Sequence, residues 1–191
     1  MKRYCKNVDI TDRDFISIAV RDCIKKKLSR KDTIELFCQY SGLPYNAIHR
    51  IVKHDYSNGY IDGIIETVID GIRQEIIYQS YVVKPIHYQT KIDGNSGKVR
   101  QIGIQDVKQQ LYDYIAAYGL LELFKAKIGY YQCSALENKG QIFGVKALKK
   151  WVDDHHIRYA IQSDIRHFYD TIDIDVLKNM LRRDVKNKTL L

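Results

Sequence analysis

The chain has 191 residues, 45% of them apolar, enough for a packed core in one moderate domain or two small ones. Its 31 Lys and Arg against 23 Asp and Glu leave a net charge of +8, a balance that favours a polyanionic partner. Cys5, Cys23, Cys38 and Cys133 are scattered with no Cys-x-x-Cys pair, which excludes a zinc ribbon or a compact disulfide scaffold, and no apolar run reaches the roughly 18 residues of a membrane span, so reduced thiols, a cytoplasmic location and no membrane partner are expected.

From Thr11 to Glu75 apolar residues recur at helical spacing, as in Phe15, Ile18, Ala19 and Cys23, and again in Ile61, Ile64, Ile65, Val68, Ile69, Ile72 and Ile76, which predicts three or four helices. Asp32 followed by Glu35 fits a capping box for a short helix over Thr33 to Tyr40, stopped by Gly42 and Pro44, and a second short helix runs from Tyr45 to Lys53. Ser57-Asn58-Gly59 then breaks the pattern. The β-rich run from Ser80 to Lys91, the turn residues Asp93 to Gly97 and the strand Lys98 to Ile104 predict a hairpin.

Asp106 is the expected N-cap of a long helix carrying Val107, Leu111, Tyr114, Ile115, Tyr118, Leu121 and Phe124 on one face. After a loop over Tyr131 to Gly140, a helix from Phe143 to Asp154 is expected to pack through Val145, Leu148, Trp151 and Val152. A strand then leads to Asp164. Asp173 is the expected cap of a last helix that buries Val176, Leu177, Met180 and Leu181. The fold class predicted is α+β: a helical N-terminal region over 1–79, a hairpin with helices over 80–156, and an opening strand and helix over 157–191.

The string Asp164-Ile-Arg-His-Phe-Tyr-Asp-Thr-Ile-Asp173 closes a β-patterned run and enters a helix. It resembles the first catalytic motif of bacterial reverse transcriptases of the group II intron, retron and diversity-generating type, Asp-Ile-x-x-Phe-Phe/Tyr-x-x-Ile-Asp. The resemblance covers residues 80–191 and is specific from Ile157 to Arg183. It implies the fingers and the start of the palm of a right-hand RNA-directed DNA polymerase, which uses two Mg2+ ions to copy an RNA template from a DNA or RNA primer with dNTPs. The family's second acidic motif, a Tyr-x-Asp-Asp hairpin, is expected beyond Leu191.

By the same resemblance, Asp164 is the catalytic, metal-binding carboxylate, and Ile165 offers its backbone carbonyl to the metal. Tyr169 floors the sugar pocket, while Phe168, its neighbour on an expected strand, packs inward. Lys91 and Arg100 contact the phosphates of the incoming nucleotide, a task suited to the guanidinium fork. Ser134, Lys139 and Gly140 stand in the family's template-contacting segment, with Lys139 where relatives commonly carry Arg. Such chemistry needs several carboxylates around two ions about 4 Å apart, and Asp164 supplies one.

A second reading comes from the helices themselves. Cys38, Gly42, Leu43, Ile48 and Ile51 reproduce the spacing of a helix-turn-helix over 34–51, and its second helix turns Asn46, His49, Arg50 and Lys53 outward, as for reading duplex bases and phosphates. The chain is then a nucleic-acid-binding or regulatory module with the polymerase-like half as scaffold. A third reading is a polymerase of the abortive-infection type that extends without a template.

Overall fold

The structure is a computed structural model that describes residues 2–54, 59–82, 84–95, 97–133 and 138–191, the side chains of Tyr169 and Asp170 excepted. It is a mixed α+β chain whose one sheet among the described residues is a two-stranded antiparallel ribbon. Contacts divide the chain at Leu120. One unit is Asn7–Leu120 with Leu190; the other takes the N-terminal residues through Lys6, then Leu121–Thr189 and Leu191. The expected 80–156 segment is therefore shared between the two units.

In the first unit four helices follow the predicted periodicity: α1 (Arg13–Ile24), α2 (Lys31–Ser41), α3 (Tyr45–His54) and α4 (Tyr60–Tyr78). The core is built around α4, whose Ile61, Ile64, Ile65, Val68, Ile69 and Ile72 form the continuous stripe that i, i+3, i+4 spacing dictates. Against it pack Ile16, Val20 and Ile24 of α1, Ile34 and Phe37 of α2, and Ile48 of α3. Full burial of each such side chain contributes roughly 1.5–3 kcal/mol. The outer faces of α1 and α4 are tied by Arg13 to Glu66 and Asp70, and by Arg21 to Asp62 and Glu66.

Asp32 departs from its predicted role. The N-cap of α2 is Arg30, and Asp32 lies in the first turn. There its carboxylate accepts from Arg30 and from the backbone N–H of Val107 at 2.9 Å, satisfying one of the free donors at the start of α5 (Val107–Gly119). Asp106 is the N-cap of α5 as expected, accepting from the Lys108 N–H at 2.9 Å.

The expected long helix is two. After Gly119 the chain leaves helical geometry at Leu120 (φ −90°, ψ 2°), and α6 (Leu121–Lys127) begins in the other unit. The interruption changes the phase of the helical stripe. Val107, Leu111 and Ile115 are buried, whereas Leu121 is 42% exposed.

The second unit holds α6, α7 (Gln141–His155), α8 (Phe168–Thr171) and α9 (Ile174–Asp184). Among its described residues the buried groups are Cys5, Leu123, Asp184 and Val185. An isolated parallel bridge joins the two ends of the chain: the Tyr4 N–H donates to the Asp184 carbonyl (2.8 Å) and the Lys186 N–H to the Tyr4 carbonyl (2.9 Å). Asp173 caps α9 as predicted, accepting from the N–H groups of Asp175 and Val176.

Two further expectations fail in this unit. Residues 157–165 form no strand: Tyr159 is 90% and Ile161 96% exposed, because a β-patterned run becomes a strand only where a ladder partner satisfies its backbone, and none pairs with it among the described residues. The apolar faces of α7 (Val145, Leu148, Trp151) and α9 (Val176, Leu177, Met180) are exposed, with Val152 and Leu181 only partly covered. Periodicity shows which face of a helix is apolar, not what covers it.

Candidate nucleic-acid interface

The ribbon of the first unit pairs β1 (His87–Ile92) with β2 (Val99–Ile104) in the register His87↔Ile104 to Ile92↔Val99. Lys91 stands directly opposite Arg100, so the two predicted phosphate contacts share one face. The Arg100 side chain is 62% exposed and reaches Asp93 at 3.4 Å; Lys91 forms no ion pair among the described residues. Every residue of the ribbon except Ile104 is exposed. On the opposite face Tyr88 lies across Gly103, where a Cβ would meet the Ile86 side chain at 2.9 Å and the Tyr88 ring at 3.4 Å.

At the base of the ribbon an open groove of about 490 Å3 is lined by Arg30, Lys31 and Lys84 and equally by Asp32, Glu35 and Asp106. Its charges balance, and Lys84 is held by Asp106 at 2.8 Å.

On α3 the four predicted outward residues, Asn46, His49, Arg50 and Lys53, are all exposed and fall in one stripe by their i, i+3, i+4 spacing, with Ile48 buried on the opposite side. The Tyr45 ring stacks against His49 at 6.1 Å between centroids. Gly42 makes the turn possible. It closes α2 with φ 71°, a left-handed conformation that a side chain would strain.

Asp164 lies in the second unit, in the irregular run that precedes a turn and the single helical turn of α8, and not at the end of a strand. Its carboxylate is exposed and accepts the N–H of Ile165 at 2.9 Å. Tyr169 falls within α8, and its side chain lies outside the described residues, as does the whole of Ser134. Phe168 also belongs to this helical turn and is 48% exposed, so the inward packing expected from strand alternation does not hold.

Lys139 is engaged within the chain: its Nζ donates to the Tyr130 carbonyl at 2.5 Å and lies over the Tyr130 and Phe143 rings at 5.2 and 5.3 Å. Gly140 is the N-cap of α7 at φ 148°, a conformation open to glycine alone. The candidate template segment thus has a structural role at the start of α7 that its sequence did not announce.

A basic groove was missed by sequence reasoning. Arg3, Arg182, Lys186 and Lys188, with Val185 and Leu191, line an open hollow of about 440 Å3 with no acidic side chain among them. The neighbouring carboxylate, Asp184, is occupied by Arg183 and Lys127, and the Arg183 guanidinium first, then Lys127, holds it below the usual carboxylate range. The Lys2-Arg3 and Arg182-Arg183 doublets were visible signals. Their meeting depends on the bridge between Tyr4 and Val185, which no local pattern encodes.

Among the described residues, no group of three or more His, Cys, Asp and Glu residues is suited to a metal and no helix is long and apolar enough to cross a membrane. Comparison with family models, curated proteins and solved structures finds no match to the chain.

Proposed function

We propose that the chain is the front part of an RNA-directed DNA polymerase, with fingers and the opening of a palm, and that it handles a primer–template rather than completing the reaction by itself. The observation that carries this reading is the placement of Lys91 opposite Arg100 on an exposed ribbon. Like charges facing one another across a ladder destabilise it by a few tenths of a kcal/mol. A solubilising hairpin has no need of that arrangement, whereas a strand of phosphates or a triphosphate neutralises both charges at once. The acid-free groove of Arg3, Arg182, Lys186 and Lys188 gives the other unit a surface for the same kind of ligand.

Asp164 offers one carboxylate, and the residues described around it do not form a two-ion site. The chain's own residues therefore bind and orient, and chemistry requires further carboxylates. The chain alone is expected to show no primer extension; extension abolished by Asp164→Ala would refute this.

The binding test uses a labelled RNA–DNA primer–template and fluorescence anisotropy at several salt concentrations. The double substitution Lys91→Gln, Arg100→Gln is expected to weaken binding about tenfold or more near 0.15 M salt and to reduce the slope of log K against log salt by about 1–2. The melting temperature stays close to that of the parent, since both side chains are exposed and the lost Lys91–Arg100 repulsion is set against the lost Arg100–Asp93 contact. Unchanged affinity and slope would overturn the reading.

A further inference from the structure

We propose that α2, the turn at Gly42 and α3 form a helix-turn-helix that docks α3 in the major groove of duplex DNA, a binding activity separate from the handling of a primer–template. Three observations carry it. The first is the turn. Only residues 42–44 separate the two helices, Gly42 is left-handed, and its N–H donates to the Cys38 carbonyl at 3.0 Å. A turn of this length containing glycine is what joins the two helices of the motif. Phe37 of α2 and Ile48 of α3 are both fully buried in the shared core, which fixes the second helix on the body of the unit.

The second observation is the composition of the exposed stripe. Asn46 and Arg50 lie one turn apart, as do His49 and Lys53, and α3 contains no acidic residue. Asn and Arg are the side chains that read adenine and guanine edges in a bidentate manner, and Lys contacts phosphate as a point charge. Asn46 and His49 stand towards the N-terminal end of α3, the end that approaches base edges in such complexes, and Lys53 stands towards the other.

The third observation is what the surrounding helices do with their cations. Arg13 and Arg21 of α1 are paired with carboxylates of α4, Arg30 with Asp32, and Lys31 with Glu35. Arg50 and Lys53 have no acidic partner among the described residues. Within one unit, then, the cations on α1, α2 and α4 are held by carboxylates or, for Arg73, by the Thr11 carbonyl, whereas Arg50 and Lys53 face no acid among the described residues and suit a partner of opposite charge. A duplex fits better than a folded RNA, because the A-form major groove is too deep and narrow for a helix to enter.

The full chain tests this in two steps. In the first, anisotropy with a labelled 24-base-pair DNA duplex compares the unmodified chain with Arg50→Gln, Lys53→Gln and with Lys91→Gln, Arg100→Gln. The α3 variant is expected to lose about tenfold or more in affinity and about 1–2 in salt slope while the ribbon variant keeps most of its duplex affinity. Melting temperatures of both stay close to the parent, since the altered side chains are exposed.

In the second step, selection from duplexes with a randomised centre is expected to enrich a short motif, and Asn46→Ala to lose discrimination at one of its positions. Equal duplex affinity in the α3 variant, no enriched motif, or an equal dependence of single-stranded RNA binding on Arg50 would overturn the proposal. The two readings fail separately. Loss of primer–template binding with the ribbon variant alone upholds the polymerase reading without the helix-turn-helix, and loss of duplex binding with the α3 variant alone does the reverse.

Discussion

Glu75→Ala is expected to lower the unfolding free energy of the helical unit by about 3 kcal/mol, read as a shift of the urea midpoint at constant slope. One carboxylate on α4 serves three donors. Its Oε1 accepts from Tyr40 Oη of α2 and Lys108 Nζ of α5, each at 2.7 Å, and its Oε2 accepts from Tyr112 Oη. The side chains of Lys108 and Glu75 are only 13% and 18% exposed, so removing the acid strands a cation away from water. The substitution therefore falls at the lower end of the range for breaking a buried pair, some water remaining within reach.

Glu75→Gln keeps an acceptor for the tyrosines and is expected to cost less, about 1–2 kcal/mol. The double change Glu75→Leu, Lys108→Met removes the need together with its partner, and comes closer to neutral than Glu75→Ala.

The same cluster sets a pH dependence. Burial pushes the Glu75 carboxyl up, but hydrogen bonds from Lys108, Tyr112 and Tyr40 outweigh it and leave the pKa below the ordinary 4.5. A group that titrates lower when folded stabilises fully above its unfolded value and loses that contribution as pH falls through the folded one. Tyr40 and Tyr112 move the other way, raised first by burial and then by the Glu75 hydrogen bond and charge. Their contribution is whole below their ordinary 10.0 and is lost only as pH rises through the raised values. Melting temperature against pH should therefore be flat between about 5 and 9 as far as these groups are concerned. The acid limb should be shallower in Glu75→Gln than in the parent, since the other paired carboxylates are common to both.

Little of this cluster was legible in the sequence, and the reason is distance. Tyr40, Lys108 and Tyr112 each lie 33 to 37 residues from Glu75 along the chain, and no local period links them. What was legible was local. The stripe on α4, the Asp106 and Asp173 caps, the Gly42 turn and the hairpin each depend on residues within a few positions of one another. Caps and periods report what a segment does to itself.

Pairing and covering partners were not legible. The run from Ile157 to Ile165 carries strand residues and lacks a ladder, and the apolar stripes of α7 and α9 lack a facing layer among the described residues. The candidate site divides the same way. The side-by-side position of Lys91 and Arg100 follows from hairpin register, and the α3 stripe from helical spacing. The groove of Arg3, Arg182, Lys186 and Lys188 required a contact between residues 4 and 185.

Two glycines on one helix are expected to respond with opposite signs to the same substitution. At Gly71 an added Cβ would run into Cε1 and Cδ1 of the Tyr40 ring, far inside any tolerable contact. The ring cannot step aside freely, because its hydroxyl is anchored on Glu75 and Lys108 Nζ lies over its face at 5.4 Å from the centroid. Gly71→Ala must therefore push α2 from α4 or break that hydrogen bond, an overpacking cost of about 3 kcal/mol offset by the roughly 1 kcal/mol that alanine gains over glycine in a helix. A net loss of about 2 kcal/mol follows.

At Gly63 the position is exposed, an added Cβ meets nothing within 4 Å, and only the propensity gain remains. Gly63→Ala should stabilise by about 0.5–1 kcal/mol. Urea unfolding of the two variants side by side separates a helix that merely tolerates its glycines from one that needs Gly71 for the close approach of α2. A gain at Gly71 like that at Gly63 would mean that the Tyr40 ring does not lie against Gly71, and a loss at Gly63 would mean that its surroundings are not open.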